Sequence, residues 1–84
     1  MNKGLVREVG QLPGTIVEMF ARECGVEWAD PASLMELQAI IIEEIIDKDI
    51  NAGSVFSAFK DVQESVARRW VKWLQDSVSD ALDV

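Results

Sequence analysis

Hydrophobic positions recur along this chain with the period of an α-helix. The densest stretch runs from Leu34 to Ile50, LMELQAIIIEEIIDKDI. With successive residues about 100° apart around an axis, Leu34, Met35, Leu37, Ala39, Ile41, Ile42, Ile45, Ile46 and Ile50 fall in one sector wider than half the circumference. A surface helix needs a stripe of only about 100°, so this segment is expected to be a central helix buried on two sides. The β-branched isoleucines would also suit a strand, but period-two alternation fails at Ile40-Ile41-Ile42 and again at Glu43-Glu44.

The remaining narrow face holds Glu36, Glu43, Glu44 and Asp47, with Ile40 in their midst. Two readings stand for it. One is a solvated polar face with a stray aliphatic residue, common because much protein surface is apolar. The other is an acid-rimmed contact in which Ile40 anchors a partner and the acids steer encounter.

Other segments supply a frame for this helix. Leu5, Val6, Val9 and Leu12 are spaced for a short amino-terminal helix, closed by a turn at Pro13-Gly14. Thr15 to Glu18 has the form of a capping box, predicting a helix from Thr15 to Cys24, with Cys24 in the core and Gly25 taking a left-handed turn. Asp30-Pro31 reads as an N-cap with proline at the first helical position, and Ser33 with Glu36 offers an overlapping capping box. Asn51-Ala52-Gly53 marks the end of the central helix, with glycine taking the left-handed conformation. From Ser54 a last helix runs toward Leu82, about 40 Å at 1.5 Å per residue. Val55, Phe59, Val62, Val66, Trp70 and Trp73 line one of its faces, continued by Leu74, Val78 and Leu82. Such a length predicts either a break near Asp76-Ser77 or packing of the far end on a second copy.

The expected fold is therefore a single all-α domain, a compact bundle of three to four helices with a long carboxy-terminal helix. Ile41, Ile45, Phe59, Trp70 and Trp73 are its expected core or dimer anchors. Composition adds the dimer: 84 residues bury a marginal core, yet 49% are hydrophobic, a surplus most simply covered in a two-fold homodimer.

Charge narrows the partners. The net charge is −7 and the sequence pI is about 4.3. Such a balance disfavours direct binding of nucleic-acid phosphates, which needs clustered cations, and favours a protein with a basic surface. The acidity concentrates on residues 31–53, whereas Arg68, Arg69 and Lys72 form the one basic cluster, expected to pair with Glu64, Asp76 or the acids of the central helix. An acidic strip could also imitate a nucleic acid and block a basic groove.

Histidine is absent from the sequence, which removes imidazole catalysis and the commonest nitrogen ligand of zinc. The single Cys24 forms no internal disulfide, and no long apolar run or signal pattern is present, so a cytoplasmic setting is expected, with no membrane span. No nucleophile motif, phosphate loop or EF-hand spacing accompanies the carboxylates. The expectation is a non-enzymatic protein without metal or cofactor.

One resemblance points elsewhere. Ser33-Leu34, followed by a helix ending in Glu43-Glu44-Ile45-Ile46-Asp47-Lys48-Asp49-Ile50, resembles the second helix of acyl carrier proteins. That likeness implies a phosphopantetheine arm on Ser33, although Ala32 stands where the family motif has Asp. The main functional expectation remains a regulator, inhibitor or adaptor that occupies a surface of another protein. Small acidic chains of this kind are frequent among accessory products of phages and other mobile elements, which suggests inhibition of a host factor.

Overall fold

The computed structural model describes residues 3–82. It is all-helical, with α1 (Lys3–Gly10), α2 (Gly14–Glu23), α3 (Pro31–Asp47) and α4 (Val55–Leu82) in chain order. The third helix is the hub: α1, α2 and α4 all pack against it. Its central place follows from its composition, since no other helix offers apolar residues in so wide a sector.

Local signals set most of the boundaries. The Asp30 carboxylate accepts a 2.7 Å hydrogen bond from the Ser33 backbone N–H, and Pro31 opens the helix, as the N-cap reading requires. Ser54 likewise caps α4, its hydroxyl accepting from the Ser57 N–H at 3.2 Å. Gly25 has φ of 90°, a left-handed conformation that glycine adopts without strain.

Three local expectations are corrected. The Thr15 capping box does not form: α2 starts one residue earlier behind Pro13, with no side-chain cap, so Thr15 lies inside the first turn. Ser33 is also already inside α3 rather than at a second cap. The central helix ends at Asp47, and the left-handed residue that follows is Asp49, φ 49°, rather than Gly53. A short polar side chain makes aspartate one of the few L-residues that visit this region.

The core holds Leu5 and Val9 of α1, Val17 and Phe20 of α2, Leu37, Ile41 and Ile45 of α3, and Phe59, Val62, Val66 and Trp70 of α4. Phe20 stacks on Phe59 with ring centroids 4.3 Å apart, and Phe56 meets Phe20 edge-on at 5.6 Å. Of the expected anchors, Ile41, Ile45, Phe59 and Trp70 are buried, and Trp73 is half-buried against the cluster. Cys24 is half-buried, not enclosed.

The last helix is unbroken over 28 residues. At 1.5 Å per residue it is about 42 Å long, so it sets the 43 Å extent of the molecule. Val78 and Leu82, which continue its apolar stripe in the sequence, lie outside the residues whose side chains are described. Among the described residues no helix is long and apolar enough to cross a membrane.

Candidate functional site

The burial pattern of α3 differs from the one its apolar sector predicts. Its inward positions are Ser33, Leu34, Leu37, Ile40, Ile41, Glu44 and Ile45. Placed about 100° apart, these span about 140° of the helix, centred about a quarter turn from the middle of the apolar sector. Ile40 is therefore a core residue, 3% exposed, and not a surface anchor. The acid-rimmed contact centred on Ile40 is thereby corrected.

Ion pairing explains the rotation. Glu44, on the inward side and 7% exposed, receives the Lys48 ammonium at 3.0 Å and the Arg69 guanidinium at 3.5 Å. The Ser65 hydroxyl, followed by the Lys48 ammonium and the Arg69 charge, holds the Glu44 carboxyl below its ordinary range, against burial, which pushes it up. Ser65 also accepts a 2.6 Å bond from Lys48, and its single proton, 3.1 Å oxygen to oxygen from the Val62 carbonyl, serves either that carbonyl or Glu44. A carboxylate so supplied with donors can be buried, and α4 can then close over Ile40 and Glu44.

Arg69 reaches further. Its second amino group binds Glu43 at 2.5 Å. The Glu43 side chain, the largest cause, with the charges of Glu43, Glu44 and Asp47, raises the Arg69 pKa further. The basic cluster of α4 thus neutralises part of the acidic face, as the sequence suggested, while Arg68 pairs with Glu64 at 2.9 Å on its own helix. Of the remaining candidates, Glu36 is half-buried and Asp47 exposed. Neither makes an ion pair within the described residues.

The outward side of α3 carries Met35, Ala39, Ile42 and Ile46 of the apolar sector, together with Ala32. Met35 is 70% exposed and Ile46 43%, Ala32 and Ala39 are exposed, and Ile42 is half-buried. Together they form an apolar strip along the helix, bordered on one edge by Glu36, Glu43 and Asp47. At its amino-terminal end the strip opens into a groove of about 300 Å³ between α2 and α3, lined by Leu12, Val17, Leu34 and Met35 with Glu18 and Gln38 at the rim. Trp28, in the loop before α3, is 79% exposed beside this region and lines a smaller hollow that shares Glu18 and Leu34 with the groove.

A signal for the strip was present in the sequence. Ala32, Met35, Ala39, Ile42 and Ile46 alternate by three and four residues, the spacing of a coiled-coil seam. An apolar sector wider than one neighbour can cover implies an uncovered remainder, and the spacing says which residues form it.

Ser33 is 8% exposed. Its N–H is held by Asp30 and its carbonyl accepts the Trp70 indole N–H at 3.0 Å. The carrier resemblance would need this side chain open to a transferase, and here it faces the core. Among the described residues no group of three or more cysteine or carboxylate side chains is placed to hold a metal ion.

Fold and face together describe a small all-α protein whose central helix leaves one side uncovered. No protein-family model, curated protein or solved structure matches the chain.

Proposed function

We propose that this protein is a non-enzymatic regulator, inhibitor or adaptor that acts by occupying a surface of another protein through the outer face of α3. The observation that carries the reading is the exposed apolar strip from Ala32 to Ile46 with carboxylates along one edge. A contiguous apolar strip left uncovered marks an interaction site on a globular protein, and an acidic border selects partners of opposite charge. A phage or mobile-element accessory protein inhibiting a host factor fits this mode of action.

Nucleic-acid mimicry has less support. Arg69 pairs with both Glu43 and Glu44, so two of the carboxylates such a strip would present are already neutralised within the chain.

The test is affinity capture from the cell in which the protein works, with the wild type and an Ala39→Arg variant of unchanged helical CD. The expected result is a definite protein retained by the wild type and lost by the variant. Capture insensitive to Ala39→Arg, or no specific protein, rejects this face as the working surface.

A further inference from the structure

Resting on that reading, we infer that the outer face of α3 docks an amphipathic helix of the partner, apolar along its seam and rich in lysine or arginine along the edge that meets Glu36 and Asp47. The register of the strip carries the first half of the inference. Assigning Ala32, Ala39 and Ile46 to position a of a heptad places Met35 and Ile42 at d. This is the pattern into which another helix inserts its own side chains as knobs. Ala39 lowers the surface between the bulkier Met35 and Ile42, as Ala32 does before Met35, and both let a neighbouring backbone approach closely. The groove at the amino-terminal end has space for one large apolar side chain of the incoming helix.

The edges carry the second half. In this register Glu36 and Glu43 occupy position e, and Gln38 and Ile45 occupy g. The g edge is closed: Gln38 donates a 2.6 Å hydrogen bond to the Val9 carbonyl of α1, and Ile45 is in the core. The e edge is open at Glu36, which makes no ion pair among the described residues; Glu43 is held by Arg69, and Asp47, beside it at position b, makes no salt bridge there but lies within reach of the Arg69 charge. Residues at e and g set partner choice in paired helices, so the open edge calls for cations.

A second copy of the chain is the competing occupant, and charge disfavours it. Antiparallel two-fold pairing places e against e, bringing Glu36 and Glu43 toward the same residues of the other copy. Parallel pairing places e against g, which α1 already covers. A net charge of −7 per chain adds repulsion to either arrangement.

The probe is a fluorescently labelled synthetic helix of about three heptads with leucine at a and d and lysine at the flanking positions. It is compared with the same peptide carrying glutamate at those flanks, and both are titrated with the full chain by anisotropy. The lysine peptide is expected to bind at least about tenfold more tightly at low salt, with the advantage shrinking as salt rises. Ala39→Arg should abolish its binding, and a Glu36→Lys/Asp47→Lys variant should prefer the glutamate peptide. Equal affinity for the two peptides, or binding of neither, overturns the basic-helix assignment. Sedimentation showing a dimer of the chain that Ala39→Arg dissolves also overturns it, in favour of the second copy. If the peptides fail while partner capture stays sensitive to Ala39→Arg, the helix assignment falls and the protein-binding reading stands. If capture fails as well, both fall.

Discussion

The indole N–H of Trp70 donates a 3.0 Å hydrogen bond to the carbonyl of Ser33, joining the middle of α4 to the first turn of α3. Trp70 is fully buried, and the bond removes the one polar cost of enclosing an indole. Trp70→Phe keeps an aromatic ring but loses the bond and leaves a void, so a loss of about 2 kcal/mol is expected. Urea denaturation followed by CD measures it, and an unchanged midpoint would contradict the bond's contribution.

Ile40 and Met35 are expected to separate stability from recognition. Ile40→Ala opens a cavity in the core and should cost about 2–4 kcal/mol, whereas Met35→Ala, on the open side of α3, should stay within about 0.5 kcal/mol of the wild type. Thermal melts of the two variants check the order. Equal losses would mean that α3 is turned differently in solution.

Glu44 gives the fold an acid-side limit. Its carboxyl is held below the ordinary range when folded, so its contribution is present above the unfolded-state value near pH 4.3 and is lost as pH falls through the folded one. Glu44→Gln should cost about 1–2 kcal/mol at pH 7, moderated because Lys48 and Arg69 are both part-exposed and return to water. At a pH acid enough to protonate the folded-state carboxyl, the variant and wild type should converge. Chemical denaturation at the two pH values reads the difference, and a constant gap would remove the ionised carboxylate from the account.

Cys24 is expected to be sluggish. Burial first, and the neighbouring Glu23 charge second, push its thiol up to about 11, so little thiolate is present at pH 8. A disulfide reagent should label the folded protein much more slowly than the urea-unfolded chain. Comparable rates would show the thiol to be open.

The helices themselves were legible in the sequence because hydrophobic period and capping chemistry act locally: Asp30-Pro31 and Ser54 start α3 and α4 where the residues say. The orientation of α3 was not. A helical wheel counts Glu44 as a solvent residue and turns the core away from it. The cations that permit its burial come from Lys48, four residues on, and from Arg69, on a different helix. Once Glu44 turns inward, Ile40 follows it, and Met35, Ala39 and Ile46 turn outward. The exposed strip thus lies about a third of a turn from the surface expected around Ile40, although Glu36, Glu43 and Asp47 remain on its border.

The 17 residues of α3 present two unlike sides of one rod. Leu37, Ile41 and Ile45 are buried in the fold, while Ala32, Met35, Ala39 and Ile46 are exposed on the other side. Substitutions at Ala32, Met35 and Ala39 are therefore expected to carry little folding cost, so a partner-binding role of the kind proposed for this side would be free to change without loss of stability. The architecture would survive such change, because the residues that build it lie on the other side of the helix.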